Sequence, residues 1–389
     1  MGEVTEIKTR ISALQKKLSK TELAGVIIAD YIDMFYYSGT AQQGLLFVGR
    51  DNSPILVIKS NADRAREETP WTVYDWEGTA ALSRFLEMTG IKEGKVGMEL
   101  DVLPVKEYQR YVRVLQCEIV DASLIIKKQR MKKSEYELEK IRQSAEKHNN
   151  VLAAIPKIFK RGMKEVELAA EVEALSRKQG HQGFIPFRGF NQYMFFGHVT
   201  SGYRAAMPSS IDSPTGGKGI TPVFPQSATL DKIEANTPLL VDYVGRYESY
   251  LADQTRIYCM GSLPKELMQA HEAALEIQEV VASAAKPGAV TGDLYQMALD
   301  MASKSGFEKN FMGYGRQVSF IGHGIGLELN ELPIIAKGTD TVLELNMVFA
   351  LEPKFVFPGQ GVVGIENTFM ITPQGTEKLG KYTDEIVYL

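Results

Sequence analysis

Residues 239–256 read LLVDYVGRYESYLADQTR, two apolar strands joined by a turn around Gly245 to Glu248, and each strand carries a carboxylate, Asp242 or Asp253. An ionised Asp on an apolar strand is costly unless a cation or hydrogen-bond donors compensate it. Two of them on paired strands point to a metal, or to structural pairing with Arg246 or Arg256. Three later stretches bear on that choice. GHGIGLELNELP at 322–333 flanks His323 with glycines that let the backbone approach a bound group, ALEPK at 350–354 places Glu352 after an apolar run, and VGIENTF at 363–369 sets Glu366 in another. Singly, each has a plain explanation: a His in a turn, a Glu facing solvent or an Arg. Together, Asp242, Asp253, His323, Glu352 and Glu366 favour a metal centre over coincidence.

Ligand chemistry narrows the centre. Four carboxylates carry about −4, which two divalent cations offset, with a bridging hydroxide completing the shell. One nitrogen among many oxygens suits Mn²⁺, Co²⁺ or Fe²⁺ better than a structural Zn²⁺, which prefers Cys and His. Such a pair, roughly 3.5 to 4 Å apart, acidifies a water and polarises a carbonyl, so hydrolysis is the chemistry expected.

The 389 residues, 44% apolar, suffice for two domains. A net charge of −4 and a pI near 5.9 argue against general nucleic-acid binding. The two cysteines, Cys117 and Cys259, lie far apart without a CxxC spacing, which suits a reducing compartment. No stretch is apolar enough for a membrane span, and MGEVTEIKTR lacks the core of a secretory signal, so a cytoplasmic location is expected.

Along the chain, Ile7, Ile11, Leu14 and Leu18 share one face of an N-terminal helix. Short apolar runs at 25–29, 45–48 and 55–58 read as strands, the last two as a hairpin across RDNSP. A helix at 80–88, a strand at 96–98, a helix at 105–115 and a strand at 118–120 complete a small α/β domain over residues 1–125. KKQRMKKSEYE marks the boundary and reads as a solvated linker, with Ser134 and Glu137 forming a capping box for a helix to about Phe159. Helices at 166–178, 265–285 and 292–304 alternate with strands over residues 126–389, the layout of a domain with two similar αβ halves. GQGVVG at 359–364 fits G-x-G-x-x-G but precedes a strand, so it reads as a hairpin and not as a dinucleotide site. Phe184, Phe187, Tyr193, Phe195 and Phe196 line an apolar pocket or belong to core packing.

The order of Asp, Asp in DQTR, GHGxGL, EP and a Glu on the last strands resembles the pita-bread metallopeptidases: methionine aminopeptidase, aminopeptidase P, prolidase and the non-peptidase creatinase. The likeness covers essentially the whole chain. YYSG at 36–39 places residues 1–125 with the creatinase-type N-terminal domain of aminopeptidase P and prolidase, and KPG at 286–288 recurs in the family. The resemblance implies an α+β architecture, a small α/β creatinase-type domain followed by a pita-bread catalytic domain, and homodimer assembly. It implies that Asp242 ligates one metal, that Asp253 and Glu366 bridge two, that His323 and Glu352 complete the other, and that Glu352 takes the proton of the bridging water.

The chain departs from the proline-specific pattern at the histidines that hold the substrate. Ser319, Asn330 and Ser209 stand where those peptidases have His, and Gly364 and Asn367 stand where aminopeptidase P has Arg and Asp around the last Glu. Loss of a positioned acid or base costs about 10² to 10⁴ in rate. His198, Arg204, Tyr243, Arg316 and Asn330 are therefore candidate substrate contacts, with Arg188 and Tyr193 beside them. The reading is a dinuclear hydrolase of short, proline-containing peptides; the alternative is a metal-dependent hydrolase or lyase of a small non-peptide molecule, for which creatinase and the dimethylsulfoniopropionate lyases set the precedent. A metal-free binding module is disfavoured by the intact ligand set.

Overall fold

In a computed structural model, which describes residues 2–78, 80–91, 93–115 and 117–389, the chain divides into two compact units at Arg130/Met131.

The first unit is a mixed six-stranded sheet, in spatial order Val73–Asp75, Ile55–Ile58, Gly44–Gly49, Leu23–Ile28, Lys95–Met98 and Glu118–Asp121. Ile55–Ile58 pairs antiparallel with Gly44–Gly49, the hairpin expected across RDNSP. The helices Ala81–Thr89 and Val105–Leu115 present Phe85, Leu82, Tyr111 and Leu115 to Ile27, Phe47, Val96 and Met98, one apolar cluster. Helix Glu3–Leu18 buries Ile7, Ile11, Leu14 and Leu18, as its period requires. The basic boundary is not the solvated linker expected. Ser123–Arg130 is a helix, Arg130 lies 2.7 Å from Asp33 with both side chains buried, and in the second unit Lys133 lies 2.8 Å from buried Glu331. Of the five basic residues in that stretch, Lys127, Lys128, Arg130, Lys132 and Lys133, two thus stand in buried ion pairs, desolvated and matched.

The second unit repeats one theme: two helices over a sheet. Helices Glu135–Ile158 and Glu165–Lys178 cover the sheet of Gly197–Ser201, Leu239–Tyr247, Tyr250–Cys259 and Val387–Tyr388, packing Val151, Leu152, Leu168 and Val172 on Val199, Leu239, Val241 and Tyr258. The Ser134 capping box is present, with both reciprocal bonds formed. Helices Lys265–Ala284 and Thr291–Lys304 cover Glu331–Ala336, Phe320–Gly324, Val348–Leu351, Asn367–Thr372 and Gly375–Lys378, through Leu267, Ile277, Leu294, Phe349 and Leu351. The GQGVVG run closes the hairpin of Lys354–Phe357 with Gly361–Gly364. Thr255 and Glu366 form an isolated bridge between the two halves, so the inner faces of both sheets meet there.

The turn of the 239–259 hairpin falls at Glu248 and Ser249, both with positive φ (49° and 76°), at the C-terminal end of the span expected from Gly245 to Glu248. Two successive left-handed residues suit the right-handed twist of a tight hairpin. Gly245 stays in its strand for another reason: a Cβ there would lie 2.7 Å from the His148 Cβ.

Candidate metal centre

Strand register gathers the carboxylates. In the 239–259 hairpin Asp242 faces Thr255 across the ladder, and Asp253 lies two residues from Thr255, so all three project from one face. His198 pairs with Asp242 on the neighbouring strand and joins that face. In the other half His323 faces Ala350, and Ala350 faces Thr368. Glu352 is two residues past Ala350 and Glu366 two before Thr368, so the same alternation carries them toward the first set.

The ligand atoms converge. One from each of Asp253, His323 and Glu366 lie within 4.8 Å of one another. His323 Nε2 stands 4.0 Å from Asp253 Oδ2, 3.7 Å from Glu352 Oε1 and 3.8 Å from Glu366 Oε1. Its Nδ1 is 3.2 Å from the Gly324 carbonyl, which fits an Nδ1–H donor and leaves the Nε2 lone pair turned to the carboxylates. Thr255 Oγ1 donates to Glu366 Oε2 at 2.9 Å, and Thr368 Oγ1 donates to the Asp253 carbonyl while accepting from the Asp253 amide.

One residue of this cluster was not among the candidates. Lys354, fully buried, places Nζ 3.1 Å from Asp242 Oδ2, 2.8 Å from Glu352 Oε2 and 2.7 Å from Glu366 Oε2. Its signal was in the sequence. Lys354 follows Glu352 by two residues in VFALEPKFVF, an apolar strand context in which a lysine shares a face with that Glu and needs a partner.

Electrostatics separates the members. Burial works against the Lys354 charge, but Asp242, Glu352 and Glu366 outweigh it and hold the ammonium pKa well above its usual value. Asp242 is pushed up by burial yet pulled below the usual range, first by Lys354 and then by His198. For Asp253 the balance goes the other way: burial, then Glu366 and Asp242, raise it well above a normal Asp, and the opposing pull of Lys354 is too small to offset them. Glu366 is pushed up to about 8, by burial first, with Lys354 opposing. Asp253 Oδ1 is buried without a hydrogen-bond partner among the described residues. A bare carboxylate oxygen beside a His lone pair and a second carboxylate is a donor set that fits a divalent cation.

The candidate substrate contacts fare differently. His198 is buried on the Asp242 face, Nδ1 without a partner among the described residues, its pKa lowered by burial. Tyr243, next to Asp242 in a strand whose side chains alternate, lies on the opposite face and packs with Val151 and Leu152. Arg204 is committed elsewhere, its Nε donating to Glu165 at 3.0 Å with both side chains buried. Arg316 is exposed on a two-residue strand. Asn330 clamps a loop: its Oδ1 accepts from the Arg188 amide at 2.8 Å and its Nδ2 donates to the Arg188 carbonyl at 2.7 Å. Ser319 is exposed, and Ser209 donates to the Pro225 carbonyl. Phe196 is core, whereas Tyr193 is 72% exposed and Phe184 47%. The glycines beside His323 serve neighbouring strands: a Cβ at Gly322 would meet the Ala350 carbonyl at 2.4 Å, one at Gly324 the Leu332 carbonyl at 2.1 Å.

Comparison with known proteins agrees with this geometry. The pattern of metallopeptidase family M24 matches residues 139–373, and that of the creatinase/prolidase N-terminal domain matches 10–132. The Xaa-Pro dipeptidase of Pyrococcus furiosus is 28% identical over 387 residues, 98% of this chain and 100% of that protein. Among solved structures, the prolidase of Pyrococcus horikoshii OT3 superposes with a TM-score of 0.82 at 26% identity, over 97% of this chain and 100% of that one. The X-Pro aminopeptidase of Thermotoga maritima MSB8 gives 0.81 at 25%, over 97% and 99%. With its creatinase-type domain and a pita-bread domain carrying the carboxylate and histidine cluster, the chain belongs to metallopeptidase family M24, a family of metal-dependent hydrolases.

Proposed function

We propose that the protein is a metal-dependent hydrolase of the amide bond in short peptides, Xaa-Pro dipeptides first among them. The observation that carries this reading is the convergence of Asp253, His323 and Glu366 within 4.8 Å, with a bare buried oxygen on Asp253. Those three residues would hold a divalent cation, Mn²⁺ or Co²⁺ by ligand hardness. When bound, the cation supplies Lewis acidity that lowers the pKa of a water and polarises the scissile carbonyl.

The chain's own groups do the rest. Glu352 commits Oε2 to Lys354 and turns Oε1 toward His323, which places a carboxylate oxygen to take the proton of the attacking water and return it to the leaving nitrogen. Lys354 fixes the orientation of Glu352, as Thr255 fixes Glu366. His198, buried on the same face with a free ring nitrogen among the described residues, is the group we assign to the substrate carbonyl. The reading further takes the cytoplasm as the location, a homodimer as the assembly, and no nucleic-acid or membrane partner; no helix among the described residues is long and apolar enough to cross a membrane.

A second reading has its own support. Asn330 is tied by two bonds to the Arg188 backbone and Ser319 is exposed, which weighs against either one standing in for the histidine of the proline-specific pattern. A small non-peptide amide or a lyase substrate fits that loss. The test is turnover by chelator-treated protein reloaded with Mn²⁺, on Xaa-Pro dipeptides, non-proline dipeptides and creatine-like compounds. Cleavage of Xaa-Pro dipeptides that chelator abolishes is the expected result. Turnover confined to the non-peptide compounds transfers the assignment to the second reading.

A further inference from the structure

We propose that the Lys354 ammonium is a built-in cation that takes the place of one of the two divalent ions, so that the site binds a single ion, at Asp253, His323 and Glu366. The inference rests on the metal-dependent reading above and concerns the composition of its centre.

Three observations support it. Nζ sits among Asp242 Oδ2, Glu352 Oε2 and Glu366 Oε2 at 2.7 to 3.1 Å, and an ammonium has three hydrogens to give. Asp242 and Glu366 are two of the oxygens that would enclose an ion on the Asp242 side, and Lys354 already occupies the space between them. The side chain is fully buried, so it is a structural part of the cluster and not a surface lysine folded inward. Second, the hairpin sets this lysine opposite a glycine. Lys354 faces Gly364 across the 354–364 hairpin, where a Cβ would lie 2.5 Å from the Pro353 carbonyl, 2.6 Å from the Lys354 Cα and 3.0 Å from its Cγ. Backbone closeness and φ +152° reserve position 364 for glycine, so no side chain there competes with the Lys354 ammonium for the carboxylates. Third, the compensation is uneven. Asp242 has a cation beside it while Asp253 keeps a buried oxygen without a partner among the described residues, so the remaining demand for positive charge lies on the Asp253 and His323 side alone.

Charge agrees with geometry. Four carboxylates against one ammonium leave about −3, which one divalent cation reduces to about −1. A second ion would have to displace a lysine whose alternative is an unpaired charge in a closed site.

The experiment is metal counting on the full-length protein. Chelator-stripped protein is equilibrated with excess Mn²⁺, freed of unbound metal and analysed by elemental mass spectrometry, with electron paramagnetic resonance on the same sample. Wild type is expected to hold about one Mn²⁺ per chain with the spectrum of an isolated ion, and Lys354→Gly about two with the spectrum of an exchange-coupled pair. Two ions with a coupled spectrum in wild type overturn the proposal, as does a folded Lys354→Gly that takes up one ion only. If Lys354→Gly does not fold, the wild-type count decides by itself. The count is independent of substrate: a protein that cleaves no peptide but binds one ion defeats the peptidase reading and leaves this one standing, and a protein that binds no metal defeats both.

Discussion

Asp253 is the residue where function and stability oppose each other. Its carboxylate is buried among Glu366, Asp242 and Glu352, and one oxygen has no donor among the described residues. Without a cation that arrangement destabilises the fold; a bound cation would turn the same oxygen into a ligand. Asp253→Asn therefore has two effects of opposite sign. Metal-free protein should gain about 1 to 2 kcal/mol in urea unfolding, the gain typical of relieving a site strained for function. Mn²⁺ affinity should fall by more than the roughly 10- to 100-fold that losing a mere supporting contact to a ligand costs. An unchanged Mn²⁺ affinity in titration calorimetry would remove Asp253 from the ligand set. The acidic residues of the cluster were legible in sequence because a lone carboxylate in an apolar strand demands an explanation. Lys354 carried the same signal, two residues after Glu352 in an apolar run, but a lysine beside a proline also looks like a strand end, and its place opposite Gly364 is a matter of register. Asn330 was legible as a departure, but its bonds to the Arg188 backbone depend on a loop far away in sequence.

At the scale of elements, the long connection between the Gly197–Ser201 and Leu239–Tyr247 strands has little regular structure of its own, apart from the short turn of helix Gly202–Arg204. It is held by Glu165, at the start of the Glu165–Lys178 helix, whose side chain is fully buried. The carboxylate accepts from the Ser201 amide at 2.7 Å and hydroxyl at 2.9 Å, from Arg204 Nε at 3.0 Å, and from the Thr229 amide at 2.9 Å and hydroxyl at 2.7 Å. Glu165→Gln replaces an acceptor-only group by an amide and leaves Arg204 buried without its counter-charge, at a cost of about 3 to 5 kcal/mol. Hydrogen exchange should accelerate in residues 202–230 before it does in the 239–259 hairpin; uniform acceleration, or none, would contradict the anchoring role. This network also explains why Arg204 looked like a substrate contact. An arginine in a Gly-rich, Pro-rich stretch shows no periodicity, and its partner lies in a different element. The long helices were readable from their apolar spacing and caps. The short helix Tyr31–Ser38, capped by Asp30, was not, because its two turns are too brief to show a period.

For the molecule as a whole, the alternation of helix pairs with strands foretold two similar halves, but not which strands would be neighbours. Val387–Tyr388, for instance, pairs in parallel with Tyr258–Cys259. Such closure is set by packing between distant segments, and it places the C-terminal segment over the helix Lys265–Ala284. His271 of that helix is 1% exposed, with Nε2 3.0 Å from the Asp384 carbonyl and Nδ1 without a partner among the described residues. Burial holds its pKa down at about 4, so the folded protein keeps this ring neutral where an unfolded chain, with a pKa near 6.5, would protonate it. The sign follows: above pH about 6.5 neither state binds the proton and stability is unaffected, and as the pH falls from about 6.5 to about 4 the unfolded state binds more protons and stability drops, by on the order of 3 kcal/mol in total. His181, lowered to about 4 by burial, acts in the same direction, its Nε2 3.0 Å from the Val244 carbonyl and its Nδ1 accepting from the Gly183 amide. The contribution of His271 is isolated by His271→Gln, which keeps a donor for Asp384 but cannot titrate. Urea unfolding of wild type and variant, both Mn²⁺-loaded, should converge as the pH is lowered from 7 toward 4, because wild type carries the extra proton-linked loss. Parallel stability curves over that window would show that His271 titrates alike in the folded and the unfolded protein, against its burial as a neutral ring.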